Sequence, residues 1–245
     1  MGNDREFAHR RRVSGTAPGV SAISGIGVIP GVSRHFGRGA VLYHQGNDVA
    51  EAIIVETGWI ALQMDLEGGA HCIIDFALPG DILGPAPSFG AMLHHSAQCL
   101  TRVTAHIVRR DDILGFPENS RFIKYVYKCS VCREYRAHDH FANVVVRDAR
   151  CRVAHLVFEL FCRSLHGVPD RRGEEIACPL KLAQIGAAVG LSAVHVSRTL
   201  RLIREAGVVS FRDGRLTVSD PALLRRMAGD FLPVLADPLT ELQPA

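Results

Sequence analysis

No run of about 18 apolar residues occurs anywhere in the 245-residue chain, so no membrane-spanning helix is expected. The opening stretch, "MGNDREFAHRRRVSGTAPGV", is charged and lacks the apolar segment of a secretory signal. Gly2 after Met1 would suit myristoylation, but Asp4 and Glu6 follow at once and nothing else supports a lipid anchor. The expectation is a cytoplasmic protein with no membrane partner. Cysteine is sparse and irregular: seven residues, an odd number, none before Cys72. That excludes a disulfide framework and suggests reduced, mostly buried thiols. The chain also lacks G-x-S-x-G, a Walker loop and H-E-x-x-H, which removes the common hydrolase, nucleotidase and zinc-protease readings. Strong net charge is missing as well, at +3. The arginines nevertheless crowd one end: Arg198, Arg201, Arg204, Arg212, Arg215, Arg225 and Arg226 fall in the last quarter. A local basic face of that kind suits a phosphate-bearing partner.

With 47% hydrophobic residues, the chain holds enough apolar material for two small domains or one large one. Residues 1–28 are Gly-, Ser-, Ala- and Arg-rich without periodicity and read as a disordered arm. Residues 29–118 alternate short apolar runs with Gly, Asn-Asp and Pro-Gly at intervals near ten residues, the texture of an all-β roll or jelly roll. Within it "LEGGAH" is a natural hairpin turn. From Asn119 to Val146 neither Gly nor Pro occurs, which predicts one long helix over 119–147. Phe122, Val126, Cys129 and Cys132 share a stripe on it, with Tyr125 beside them. A helix this long with an apolar stripe calls for a partner, most simply a second copy in a dimer. Residues 148–232 open with a helix buried through Val153, Leu156, Val157, Leu160 and Phe161. A polar loop, "GVPDRRGEE", follows, and 233–245 form a tail.

"LKLAQIGAAVG" and "LSAVHVSRTLRLIREAG" read as two helices joined by a Gly-containing turn, the helix-turn-helix unit. Ser192 is placed to cap the second helix and Gly207 to close it. Strands around Asp213-Gly214 complete a wing. Ile185, Val196, Leu200 and Ile203 are the expected packing positions. Ser192, His195, Ser197, Arg198, Thr199 and Arg201 are then left to face double-stranded DNA in the major groove, with Arg212 and Arg215 on the flanking backbone. An arginine such as Arg198 can grip guanine O6 and N7 bidentately.

The stretch from Leu182 to Val218, the upstream "FALPGDILG" and the long helix together resemble the Crp–Fnr family of bacterial transcription regulators, over about residues 30–230. The resemblance implies an α+β chain: a cyclic-nucleotide-binding-like β-roll, a dimerisation helix and a winged helix-turn-helix. It further implies a homodimer on an inverted-repeat DNA site and contact with RNA polymerase. Arg198 falls on the family's guanine-reading arginine, and Ser197-Arg198 on a pair found in the Fnr-like branch. By the same resemblance Gly80, Asp81, Gly84, His95 and Ser96 mark where an effector pocket would lie. Three departures limit the carry-over. Val194 stands where the family usually has a glutamate. Gly84-Pro85 and His95-Ser96 replace the ribose- and phosphate-gripping pairs, so cyclic AMP is not the expected effector. Without cysteines before Cys72, an Fnr-type iron–sulfur cluster is not expected either, and the cofactor is left unknown.

Three other constellations remain as alternatives. Cys129 and Cys132, a Cys-x-x-Cys on a helix, could meet their copies across a two-fold axis as a metal or redox site, or simply fill the dimer seam. His35, His44, His71, His94, His95 and His106 could supply a haem or metal ligand in the roll. His138 and His140 are expected to be exposed, and Cys178 to be a buried, inert thiol. A cupin-like enzyme lacks its His-x-His and glutamate on strands, and a cyclic-nucleotide regulatory subunit lacks its nucleotide contacts.

Overall fold

The computed structural model describes residues 19–23, 27–48, 50–84, 92–117, 120–166 and 172–229. Strands β1 (Gly19–Ile23), β2 (Gly27–Phe36), β3 (Val41–Tyr43), β4 (Glu51–Thr57), β5 (Ile60–Asp65), β6 (His71–Ala77), β7 (Ile82–Leu83), β8 (Ser96–Cys99) and β9 (Val103–Arg109) form two antiparallel sheets. Their orders are β1-β2-β9-β4-β7 and β3-β8-β5-β6. Between them lies a core that includes Tyr43, Ile53, Val55, Ile60, Leu62 and Ile107. The arm expected to run to residue 28 is shorter than that. Gly19–Ile23 pairs antiparallel with residues 27–31, because a β-branched segment beside an open strand edge satisfies its backbone there. Residues 1–18 and 24–26 of that arm, and the tail, 233–245, lie outside the described residues.

β4 explains why "AIIV" is an unbroken apolar run. Ile53 and Val55 face the core between the sheets, while Ala52 and Ile54 face a second cluster containing Phe122, Tyr125 and Cys129. A strand covered on both sides needs no polar face. The short helix α1 (Arg110–Leu114) leads to α2 (Arg121–Val146), capped by the Ser120 hydroxyl, which accepts the Ile123 N–H at 3.2 Å. Arg147 is extended and ends α2. The Asp148 side chain then caps α3 (Ala149–Ser164) by accepting the Cys151 N–H at 2.8 Å. Every residue from Val153 to Arg163 is buried, so α3 is enclosed on all sides. One continuous apolar cluster joins it to Trp59, Ile73 and Phe76 of the roll and to the C-terminal elements.

Those elements are β10 (Glu174–Ala177), α4 (Leu182–Val189), α5 (Ala193–Glu205), β11 (Val209–Arg212), β12 (Arg215–Val218) and α6 (Pro221–Ala228). The wing has three strands, in the order β10-β12-β11. Glu174 and Glu175, read from sequence as loop, are its outer strand: Glu175 pairs with Thr217, and its alternation with Ile176 buries only the latter.

Candidate nucleic-acid interface

The turn between α4 and α5 is closed by contact. A Cβ on Gly186 would lie 2.3 Å from the Leu191 carbonyl oxygen, so only glycine lets the two helices approach this closely. The Ser192 hydroxyl accepts the His195 N–H at 3.2 Å and starts α5, as its position predicted. Val196, Leu200 and Ile203 are buried, and Ile185 answers them from α4. The opposite stripe of α5 repeats at i, i+4, i+7 and i+11: Val194, Arg198, Arg201 and Glu205, all exposed. His195 flanks that stripe on one side. Ser197 flanks it on the other, lining with Arg204 and Phe211 a hollow of about 220 Å³ against β11.

Two expectations change here. Thr199 is 4% exposed, and its hydroxyl donates to the His195 carbonyl at 2.9 Å, so it belongs to the packing side of α5 and not to the groove face. A β-branched residue with a hydroxyl satisfied by its own helix packs like valine. Arg215 is paired with Glu175 across the wing, which partly neutralises it, whereas Arg212 stands exposed at the Asp213-Gly214 turn.

The described positions proposed for an effector pocket each make contacts within the fold. Gly84 is a close-approach point, where a Cβ would lie 2.5 Å from the Glu51 carbonyl oxygen. Pro85 lies outside the described residues. His95 shares a 3.0 Å hydrogen bond with the Tyr43 hydroxyl, and the Ser96 hydroxyl accepts the Gln45 N–H at 2.9 Å. Burial, with the Arg133 charge second, pushes the His95 imidazole down to about 4, and burial pushes the Tyr43 hydroxyl up to about 12. Both are therefore neutral at physiological pH. The Gly80 carbonyl accepts from the Tyr125 hydroxyl on α2.

Asp81 belongs to a buried ionic joint that the sequence reading missed. Its carboxylate accepts the Leu78 N–H at 2.8 Å and one Arg163 nitrogen at 2.7 Å, with Arg136 at 3.6 Å. Asp75 on β6 accepts from Arg136 at 2.9 and 3.1 Å and from Arg163 at 3.3 Å. Glu159 accepts from Arg163 at 2.8 Å and from His140 at 2.5 Å. Three carboxylates thus meet two guanidiniums and an imidazole, from the roll, α2 and α3. The spacing Arg136–His140 and Glu159–Arg163, both i,i+4, brings each pair onto one helical face. His140, expected to be exposed, is therefore half-buried. Its Nδ1 faces the Ile74 carbonyl at 3.2 Å while Nε2 faces Glu159. Two acceptors require both nitrogens to donate, so the ring is an imidazolium. The detectable signal was a glutamate and an arginine inside the otherwise apolar face of "VAHLVFELFCRSL".

Burial opposes the His140 charge, but Glu159 and then Asp75 outweigh it and push the ring up to about 9. A folded-state value above the ordinary one near 6.5 means full stabilisation below about pH 6.5, lost as pH rises towards 9. Wild-type protein is expected to lose about 1–3 kcal/mol of unfolding free energy between about pH 6 and about pH 8.5. Chemical denaturation at both pH values checks this, and His140→Gln is expected to flatten the slope. Cys129, Cys162 and Cys178, whose thiols burial pushes up to about 12, add a further loss that begins as the unfolded thiols ionise near about pH 8.5, and His140→Gln leaves that part in place.

Cys129 and Cys132 are enclosed within the chain itself. Both are buried, and Cys129 packs into the cluster beneath the roll, 3.9 Å from the Gly80 carbonyl. Neither thiol therefore stands on the exposed face of α2 in the single chain. The roll histidines are likewise dispersed: His35 bonds Thr104, His71 bonds Asp65 and His106 bonds the Pro30 carbonyl. Among the described residues no three His, Cys, Asp or Glu side chains are grouped to hold a metal ion. No described helix is long and apolar enough to cross a membrane. Cys178 is 1% exposed, a buried thiol as expected.

A β-roll joined by a long helix to a capped helix-turn-helix with a wing defines a DNA-binding transcription regulator carrying a sensory-type domain. Residues 33–120 match the cyclic nucleotide-binding domain, and residues 151–227 match the Crp-like helix-turn-helix domain. The nitrogen fixation regulation protein FixK of Rhizobium meliloti is 26% identical over 192 residues, 77% of this chain and 83% of the relative. FixK of Bradyrhizobium diazoefficiens is 24% identical over 195 residues, 79% and 81% of the two chains. The solved structure of FixK2 from Bradyrhizobium japonicum superposes with a TM-score of 0.69 at 20% identity, covering 82% of this chain and 99% of the other. The chain belongs to the Crp–Fnr family of transcription regulators.

Proposed function

We propose that the protein works as a homodimer on an inverted-repeat DNA site, with α5 of each copy in a major groove and half-sites about one helical turn apart. The observation that carries this reading is the outward stripe of α5, where Val194, Arg198 and Arg201 stand exposed on a helix locked by its cap and its buried side. Dimerisation is supported by the other face of α2. Val131, Phe141 and Val145 follow Tyr127 by 4, 14 and 18 residues, a heptad-like seam, and Tyr127, Phe141 and Val145 are 73%, 72% and 61% exposed. Apolar residues at that spacing without cover in one chain fit a parallel second copy.

The signal in this reading is not a cyclic nucleotide: His95 is neutral and Ser96 is internally bonded, so this pair supplies no cationic fork for a phosphate. The ionic joint is the route by which a change in the roll would reach α2 and α3, and so the spacing of the two α5 helices. RNA polymerase is the expected further partner, in the cytoplasm. The test is selection of bound sequences from random duplex DNA, run with oxidant and with reductant. An inverted repeat enriched identically in both is expected, because five of the seven cysteines are buried and burial holds thiols such as Cys129 and Cys178 in the neutral form. Enrichment in one state only would restore a redox sensor, and none in either would overturn the DNA-reading role of α5.

A further inference from the structure

The exposed stripe of α5 carries Arg198 and Arg201 at its centre, with Glu205 paired to Arg201 at its C-terminal end and one apolar residue at its N-terminal end. Val194 stands in its first turn, 62% exposed, one helical turn before Arg198 and in line with Arg201. A single exposed valine is unremarkable on a solvated face. Here it occupies the N-terminal end of the helix that enters the groove, where side chains reach base edges.

We infer that Val194 is a specificity-determining residue that packs against the C5-methyl group of a thymine, within about one or two base pairs of the guanine held by Arg198; this rests on the reading of α5 as the major-groove helix. Chemistry selects the base from both directions. An isopropyl group can neither donate nor accept a hydrogen bond. Among the major-groove edges of the four bases, only thymine offers an apolar group. Any other edge pressed against Val194 would lose water from a donor or acceptor without gaining a partner, which costs rather than contributes.

The helix sets the distance. Residues i and i+4 have Cβ atoms about 5–6 Å apart, and base pairs follow one another at about 3.4 Å. Val194 and Arg198 therefore read neighbouring or next-neighbouring pairs. His195, on the flank of the stripe, is left to the backbone side of the groove, so the valine and not the histidine meets the base.

The test uses the full-length protein and the duplex recovered by selection. Each half-site thymine is replaced singly by deoxyuridine, which removes the methyl group and nothing else. Binding is measured by fluorescence anisotropy for wild type, Val194→Ala and Val194→Glu. Val194 is exposed, so these variants fold; circular dichroism checks it. One thymine per half-site, beside the guanine, is expected to give about a three- to tenfold loss with wild type when it becomes deoxyuridine. Val194→Ala is expected to bind the two duplexes within about twofold of each other. Val194→Glu is expected to prefer a cytosine at that position, since its carboxylate can accept from N4. The inference is overturned if no thymine shows the loss, or if Val194→Ala keeps the same sensitivity. Absence of binding to every duplex would instead overturn the reading of α5 itself.

Discussion

Replacing Arg198 by alanine is expected to reduce affinity for the selected inverted repeat by at least about 30-fold, towards the level of non-specific duplex. The side chain is exposed, lies in the second turn after the Ser192 cap and shares the outward stripe with Arg201. A bidentate arginine–guanine contact contributes about 1–3 kcal/mol of discrimination. A dimer loses two of them, and the two sites are far enough apart for the losses to add. Arg198→Lys keeps the charge without the planar fork, so it is expected to hold non-specific affinity while losing most of the preference for the repeat. Competitive anisotropy titrations against unrelated duplex separate these two quantities. Sedimentation equilibrium is expected to show both variants in the same assembly state as wild type, because Arg198 is far from the exposed side of α2. Wild-type affinity in Arg198→Ala would mean that α5 does not read bases through this stripe.

The C-terminal half was more legible in the sequence than the N-terminal half, for a physical reason. Caps and turns act locally: Ser192 and the Asp213-Gly214 turn each specify backbone geometry within four residues, and each is found where expected. Periodicity on an exposed helix is also local, yet Thr199 shows its limit. A threonine whose hydroxyl bonds back to its own helix packs as an apolar residue, and no local pattern distinguishes it from an outward one. On α2 the sequence offers two apolar stripes, and only the three-dimensional arrangement decides which covers the roll. The stripe holding Cys129 and Cys132 covers it, and the Tyr127–Phe141 stripe is left open. The ionic joint was hidden for a stronger reason. Its six members lie at positions 75, 81, 136, 140, 159 and 163, and their partners are set by tertiary contact. Only the paired Glu159 and Arg163 inside an apolar helix hinted at it.

Arg163 has the largest expected effect on stability. It is 5% exposed, donates to Asp75, Asp81 and Glu159, and also donates to the Phe76 carbonyl at 2.6 Å. With Arg136 and a charged His140, the two arginines balance three carboxylates, so the joint as a whole is neutral. Burial acts to raise the Asp75 carboxyl, but Arg136, Arg163 and His140 hold it well below the usual carboxylate range. Burial acts the same way on Glu159, which His140 and Arg163 bring down to about 2. Arg163→Met removes one positive charge and leaves one negative charge in excess where water cannot reach it. Breaking a buried pair in this way costs about 3–5 kcal/mol. The midpoint of chemical denaturation is expected to fall accordingly, with more of the loss recovered at low pH, where a carboxylate can take up the missing proton. Arg163→Lys is expected to fall between, because one ammonium cannot reach three carboxylates and a carbonyl at once. A second change tests whether the cost is truly charge imbalance. Glu159→Gln in the Arg163→Met background restores neutrality, so the double variant is expected to be more stable than Arg163→Met alone despite having one fewer ionic partner. If the double variant is instead less stable than the single one, Arg163 holds the roll to α3 by packing, and the ionic joint is not what joins the roll to the helices that carry α5.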